Sequence, residues 1–174
     1  RGCGAYGGGG ACTWACDVGG RGGGRAVQSA GASEVFGRPQ HTFVGNCIGS
    51  AGMNFRPARG NGSGVDVLGR QMAAPASIRA AGDVTLGVRP EYVSLAKPDE
   101  IGAVPAVVTQ SQDIGTYWLV TAKVGGGSDQ SAVIRARVSP QQRIPRSGDE
   151  VWLTIVGPHT CFYKNEELIP EAAA

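Results

Sequence analysis

The chain has 174 residues, of which 29 are glycine and 17% are charged, and its formal net charge is +2 at pH 7. This length predicts one domain of ordinary size with an appended segment, without room for a second full domain. The small net charge and the scattered basic residues exclude a strongly cationic surface for nucleic acid or anionic lipid. Because there is no run of about 18 apolar residues and no secretory signal, we expect a soluble, intracellular protein.

Residues 1–24 differ in character from everything that follows. Glycine dominates them, with runs at 7–10 and 22–24, and they show almost no apolar periodicity. Glycine loses the most backbone entropy on ordering, and few apolar side chains are available to compensate for that loss. We therefore predict that residues 1–24 are disordered.

Residues 25–55 predict two short helices. Ser33 is placed to cap the first one, which should stop at Gly37, before Arg38 and Pro39. Proline favours the opening turn of a helix, so the second helix should begin at Pro39. In that helix, the apolar side chains recur at helical spacing and favour packing against a core: Phe43, Val44, Cys47 and Ile48.

Residues 56–174 favour β structure. Between Arg56 and Gly82 only residues 64–68 alternate well enough to predict a strand. After Gly82 the apolar period is two, with one strand face formed by Trp118, Val120, Ala122 and Val124, and further strands near 134–138 and 151–155. Residues 125–129 and 147–149 supply turns rich in Gly, Ser and Asp. Several short strands at this spacing predict an all-β fold, either a small barrel or a sandwich.

Two blocks of sequence carry a family resemblance. Residues 43–55 read F-V-G-N-C-I-G-S-A-G-M-N-F, and residues 84–95 read V-T-L-G-V-R-P-E-Y-V-S-L. They resemble F-V-A-x-F-I-G-S-P-x-M-N-F and L-G-I-R-P-E-H in the C-terminal accessory region of ATP-binding subunits of bacterial sugar and glycerol-phosphate ABC importers. Weaker similarity extends over residues 25–170, and residues 25–36 resemble the end of the ATPase domain of those subunits.

The resemblance implies a TOBE/MOP-like region over 56–174, an OB-type β-barrel with an appended second β element, preceded by a remnant of the ATPase domain over 25–55. It implies a role in subunit dimerisation and regulation of importers. The implied partners are a second copy of the subunit and, through the missing ATPase domain, the membrane permease subunits at the inner face of the cell membrane. Residues 1–24 match nothing in the family, so they are either coding sequence translated in the wrong frame or a natural flexible tail.

Individual positions of the family pattern differ in what they imply. Gln112 stands where the family usually has Glu, which puts in doubt a dimer contact through this position. Gly115 and Gly148 lie in the family's turn motifs, at V-x-x-V-E-x-L-G and G-x-x-V-x-L. Cys47 replaces an aromatic residue, and Ala51 replaces the proline of I-G-S-P.

Arg89, Pro90 and Glu91 form a charged corner after an apolar strand. Pro90 lacks an amide donor and marks the end or edge of that strand. The planar guanidinium of Arg89 can hold a carboxylate or backbone carbonyls. Two interpretations stay open, either a corner fixed by arginine hydrogen bonds or a contact with a partner.

Catalytic and cofactor chemistry is not predicted for this chain. The first lysine is Lys97, so the early glycine runs cannot form a phosphate-binding P-loop, and the ABC signature is also missing. We expect ATP and Mg²⁺ only in the full-length relatives. His159 and Cys161 would diverge on an extended strand, and the adjacent acids Asp99 and Glu100 favour a solvated loop.

The five cysteines predict neither a disulfide framework nor a metal site. Their number is odd, and the spacing of Cys3, Cys12 and Cys16 is not that of a zinc site, with His41 and His159 the only imidazoles. We interpret them as incidental thiols.

One alternative function belongs to a different class, a stand-alone barrel that binds a small oxyanion or an oligonucleotide. The molybdate motif of related barrels is absent, and the aromatic residues are not interleaved with a dense basic stripe. We therefore expect no nucleic-acid partner.

Overall fold

The computed structural model describes residues 3–8, 11–16, 25–30, 32–49, 51–98, 100–125 and 132–170. The first strands are β1 (Cys3–Gly8), β2 (Ala11–Cys16) and β3 (Arg25–Ala30), followed by helices α1 (Ala32–Gly37) and α2 (Thr42–Cys47). Next come β4 (Asn54–Gly60), β5 (Val65–Val67), β6 (Arg70–Met72), α3 (Ala76–Arg79), β7 (Asp83–Val88) and a 3-10 turn (Pro90–Tyr92). The remaining strands are β8 (Ser94–Ala96), β9 (Ala103–Asp113), β10 (Trp118–Val124), β11 (Val133–Val138), β12 (Glu150–Thr154), β13 (Cys161–Lys164) and β14 (Glu167–Leu168).

The strands form three antiparallel sheets. The first has the order β1-β2-β3, the second β11-β10-β9-β12-β8, and the third β14-β13-β7-β4-β5-β6. In the second sheet the two edge strands, β8 and β11, contact each other, so this sheet curls into a half-barrel. The predicted all-β, OB-type fold is confirmed.

One apolar core joins the second and third sheets. Its buried members come from strands of both, among them Val67, Leu86, Val120, Ile134 and Leu153. The period of two that the sequence shows after Gly82 produces this burial, because alternate side chains of a strand point to opposite faces. On β10, Val120, Ala122 and Val124 are buried while Lys123 is exposed, as predicted.

Two segments near the start of the chain, 3–8 and 11–16, are strands where we predicted disorder, and the rest of residues 1–24 lies outside the described residues. Strands β1 and β2 lie in that range and pair with each other from Cys3↔Cys16 to Gly8↔Ala11, and β2 also pairs with β3. Backbone hydrogen bonds hold a sheet together whatever the side chains are, which is why an apolar pattern gave no signal here.

Strand β4 was missed because its sequence contains Pro57 between two arginines. In the structure, β5 pairs only with Ala58–Gly60, so one side of β4 is open at Pro57 and no ladder donor is needed there. The predicted boundary between residues 55 and 56 falls inside this strand.

The two short helices are present with shifted bounds. Ser33 lies within α1 and does not precede it, and α2 begins at Thr42, beyond Pro39. The side chain of His41 caps α2, accepting a hydrogen bond at Nδ1 from the amide of Phe43 at 3.1 Å. With only six residues in α2, the predicted apolar stripe does not form one buried face, since Val44 is buried but Cys47 is exposed.

Candidate functional site

The Arg89 corner, which we define as Arg89, Pro90 and Glu91 with the backbone of Phe36 and Ile48, lies where β7 meets the two short helices. Arg89 has extended dihedrals (φ −76°, ψ 148°), as expected for a residue before proline. Pro90 then opens the 3-10 turn, where its fixed φ is suited and its missing amide costs nothing. The strand end and the turn together direct the Arg89 side chain into the interior.

The guanidinium of Arg89 bonds to the backbone ends of both helices. Nε donates to the carbonyl of Phe36 at 2.7 Å, and Nη1 donates to the carbonyl of Ile48 at 2.6 Å. The same group lies over the Phe36 ring, 4.0 Å from its centroid. Carbonyls at a helix C-terminus have no partner within the helix and favour a cation, so one side chain satisfies two helix ends.

Burial sets the electrostatics of this corner. Arg89 is only 1% exposed. Its desolvation lowers the pKa of the guanidinium, and the charge of Glu91 raises it by a smaller amount. Among the described atoms, neither Nη2 of Arg89 nor Oε2 of Glu91 has a hydrogen-bond partner. The two carbonyl bonds and the Phe36 ring therefore supply the main compensation for burying this cation.

Strand β13 contacts the same helical segment. The hydroxyl of Tyr163 donates to the carbonyl of Pro39 at 2.9 Å, and Cys161 Sγ lies 3.9 Å from the carbonyl of Gly37. Burial raises the pKa of Tyr163, and Cys161 adds to this effect. Both side chains are thus directed at the link between α1 and α2.

His159 and Cys161 do not form a catalytic pair. The imidazole of His159 stacks on the exposed ring of Tyr92, with centroids 4.1 Å apart and planes at 18°. Cys161 is buried and faces Gly37. The two side chains therefore contact different partners, although two positions this far apart on an extended strand share a face.

Asn54 is a site residue that the sequence analysis missed. Its side-chain amide donates to the carbonyl of Arg135 and its side-chain oxygen accepts from the amide of Arg135, both at 2.9 Å. Arg135 lies on the edge strand β11. The side chain of Asn54 therefore bonds to the backbone of the half-barrel edge as the backbone of a neighbouring strand would. The only signal for it was its place in the Met-Asn-Phe part of the family pattern.

The other predicted site residues lie on different elements. Gln112 is exposed on β9 opposite Leu119, and Gly115 occupies the following turn with φ 98°. Gly148 has φ 93° in the turn before β12, and its amide donates to the carbonyl of Val108 at 2.8 Å. The positive φ values explain why glycine is present at both turns.

Metal binding finds no support in the described part of the chain. There, no group of three or more His, Cys, Asp and Glu residues could hold a metal ion, while the thiols of Cys3, Cys12 and Cys16 lie outside the described side chains. The interpretation of all five cysteines as incidental thiols is wrong for Cys47, which is disulfide-bonded. An odd number of cysteines does not exclude a disulfide at one of them.

Comparison with known proteins shows what part of the chain is similar to. Residues 86–161, from β7 to the first residue of β13, match the family of the TOBE domain. The family resemblance derived from residues 43–55 and 84–95 is therefore confirmed for the C-terminal part of the chain.

Relatives with similar sequences are ATP-binding proteins of transporters, two of them named as import proteins. The chain is 47% identical over 79 residues to the sn-glycerol-3-phosphate import ATP-binding protein UgpC of Cereibacter sphaeroides, which covers 45% of this chain and 22% of the relative. It is 33% identical over 136 residues to the protein of that name from Escherichia coli O157:H7, covering 75% of this chain and 36% of the relative. An uncharacterized ABC transporter ATP-binding protein of Sinorhizobium fredii, y4oS, is 31% identical over 137 residues, 75% of this chain and 34% of its own.

The chain therefore spans about a third of the length of most of these relatives, and the part that matches the TOBE domain contains its central and later strands. In the part that the structure describes, no helix has the length and apolar character needed to span a membrane.

Proposed function

We propose that this chain is the accessory, regulatory region of the ATP-binding subunit of an ABC importer for glycerol phosphate or a sugar. The observation that carries the proposal is the TOBE domain at residues 86–161 within a sequence similar to import ATP-binding proteins. In this role the TOBE domain supports pairing and regulation of the subunits, while nucleotide chemistry belongs to another part of the subunit.

The proposed role is not catalytic. The single buried cation of the described corner is committed to backbone carbonyls, and the His159 and Cys161 side chains contact other groups, the Tyr92 ring and the carbonyl of Gly37. We therefore expect the chain to bind no ATP, Mg²⁺ or other cofactor by itself. An assay of phosphate release with the purified chain should give no turnover, and turnover that follows the protein through purification would refute this part.

The proposed partners are a second copy of the subunit and the permease subunits, at the inner face of the cell membrane. Sedimentation equilibrium over a wide range of protein concentration tests pairing of the chain alone. A mass that rises from one copy to two supports the TOBE domain as a pairing element. A mass of one copy throughout removes that element from the proposal.

A chimera tests the assignment in a cell. In the E. coli relative, the 136-residue segment that matches this chain is replaced by the segment of this chain, in cells that lack the parent gene. We expect glycerol-3-phosphate uptake well above that of a control from which the segment is deleted. A chimera that accumulates and hydrolyses ATP but gives no more uptake than the deletion would contradict the proposal.

Calorimetric titration separates this function from that of a stand-alone binding barrel. Molybdate, sulfate and a short single-stranded oligonucleotide are added in turn to the purified chain. The importer role predicts no saturable heat with any of them, whereas saturable binding of one would favour the alternative.

A further inference from the structure

We infer that Arg89 makes the helical segment, residues 32–49, and the two joined sheets into one cooperative unit. A displacement of the chain before Ala32 is then transmitted to the half-barrel, because the helical segment and the sheets do not move independently of each other. Arg89 is a positioning residue in this unit. The inference goes beyond the proposed function, because the coupling belongs to this chain whatever its partners are.

The first argument is that Arg89 connects a central strand of the third sheet, β7, to the two short helices. It follows β7, which has β13 on one side and β4 on the other, so its backbone is fixed inside the third sheet. Its two bonds reach residues that are 53 and 41 positions earlier in the chain. Each bond joins a charged donor to a carbonyl in a buried place, which is the stronger class of hydrogen bond.

The second argument is that the helical segment cannot be stable by itself. Its two helices have six residues each, whereas isolated helices shorter than about 12 residues are marginal in water. Val35 and Val44 are nearly completely buried, at 1% and 2% exposed. The stability of the segment must therefore come from its neighbours, which for α1 include β2 and β3 of the first sheet and, through the bonds of Arg89, the end of β7.

The third argument is that bonds hold the segment on a second side as well. The Tyr163 hydroxyl bonds to the carbonyl of Pro39, and the amide of Leu168 donates to the carbonyl of Gln40 at 2.8 Å. The amide of Thr42 donates to the carbonyl of Glu166 at 3.0 Å. With β7 on one side and β13 and β14 on the other, separation of the segment requires breaking both sets of bonds.

Further contacts connect the third sheet to the half-barrel. β4 pairs with β7 along its length, from Asn54↔Val88 to Arg59↔Asp83. At its first residue, the Asn54 side chain is bonded to the β11 backbone. The helices are thus connected to the edge of the half-barrel through Arg89, the β7–β4 pair and Asn54.

Amide hydrogen exchange of the whole chain, followed residue by residue, tests the inference. In the unaltered protein we expect the helix amides of Arg38 and Ile48 to exchange through the same opening as barrel amides such as those of Val120 and Ala136. Arg38 and Ile48 donate within their helices to Glu34 and Val44, so both amides report on the helices. Helix amides that exchange more than tenfold faster than the barrel amides in the unaltered protein would overturn the inference.

The variant Arg89→Lys should uncouple the segment. A lysine keeps the charge but lacks the planar fork that reaches both carbonyls. We expect the helix amides to exchange about tenfold faster or more relative to the barrel amides, because one charge-assisted bond is lost. If the ratio of helix-amide to barrel-amide exchange rates is the same as in the unaltered protein, the inference is contradicted.

A matched control and a milder variant keep the experiment decisive. Arg59→Lys makes the same exchange of residue types at an exposed position, where the Arg59 and Asp83 side chains are 77% and 89% exposed, and should leave the ratio unchanged. If Arg89→Lys does not fold, Tyr163→Phe removes one bond to the same segment. It should also raise the ratio, and equal protection of helices and barrel in this variant would overturn the inference.

Discussion

Asn54 and Arg135 are joined by two hydrogen bonds of 2.9 Å, through which a side chain from the third sheet pairs with the backbone of an edge strand of the half-barrel. The carboxamide is suited to this role because it presents one donor and one acceptor side by side. Asn54 is 3% exposed, so bulk water cannot take over either hydrogen bond if one of them is lost.

Replacing Asn54 by aspartate should destabilise the protein. The carboxylate can accept from the Arg135 amide but cannot donate to the Arg135 carbonyl, and it places a charge in a buried site. We expect the free energy of unfolding to fall by about 1–3 kcal/mol. Chemical denaturation followed by tryptophan fluorescence measures it. Asn46→Asp, at an exposed position on α2, is the control and should change stability little.

Tyr163 should make stability fall at alkaline pH. Its pKa is raised by burial above the ordinary value of 10.0, so the neutral form is favoured in the folded state. The stabilisation is fully present below pH 10.0 and is lost as the pH rises through and beyond that value. Tyr163→Phe removes the ionisation together with the bond to Pro39.

The free energies of unfolding of the unaltered protein and of Tyr163→Phe test this. At neutral pH the variant should be less stable by about 1 kcal/mol, since one hydrogen bond is lost. Above pH 10.0 this difference should shrink, because only the unaltered protein must bury a titrating phenol. Two curves that stay parallel up to pH 11 would show that Tyr163 does not titrate in this way.

Glu166 occupies a backbone conformation that glycine would adopt at lower cost. In the turn between β13 and β14, Asn165 has φ 51° and Glu166 has φ 69°. Asn-Gly is the favoured pair for such a turn, and a side chain other than Asn or Gly is strained there. Glu166→Gly should therefore raise the free energy of unfolding by about 0.5–1 kcal/mol in chemical denaturation.

Glu167→Gly is the matched control for that variant. Glu167 is the next residue and lies in β14, so glycine there adds backbone entropy to the unfolded chain without relieving strain. It should lower stability. Equal effects of the two substitutions would show that the turn conformation of Glu166 is not strained.

Gly87 should not tolerate a methyl group. A Cβ at this position would lie 2.8 Å from Cε2 of Tyr163, 3.0 Å from Phe55 and 3.1 Å from Met53. Overpacking of this kind costs about 1–3 kcal/mol, and Gly87→Ala should lower the Tm accordingly. At Gly157 a Cβ would meet nothing within 4 Å, so Gly157→Ala should leave the Tm nearly unchanged.

The sequence could predict the elements whose signal is local. The alternation of apolar residues on β10 and β11 predicted strands with one buried face. The glycine at position 148 predicted a turn, because glycine tolerates the positive φ that this turn has. Strand β4 could not be predicted, because Pro57 is tolerated only where the neighbouring strand β5 is too short to reach it. That condition is a property of the sheet and not of the strand.

The sequence drew attention to the residues of the Arg89 corner but could not predict their contacts. Arg89 could be chosen from the charged corner, and a corner fixed by arginine hydrogen bonds was one of two open interpretations. Its acceptors, the carbonyls of Phe36 and Ile48, are backbone groups far away in the chain, and every residue carries such a group. The bonds of Asn54 to the Arg135 backbone escaped for the same reason.

The outer edge of β14 has a practical consequence for cloning. Residues 40–42 lie along that edge, with His41 bridged to Glu167 and with backbone bonds from Leu168 to Gln40 and from Thr42 to Glu166. A gene fragment that starts after α2 would expose this edge, and bare edges pair with one another between molecules. Light scattering should find such a fragment aggregated, so a monodisperse preparation should keep residues 40–42.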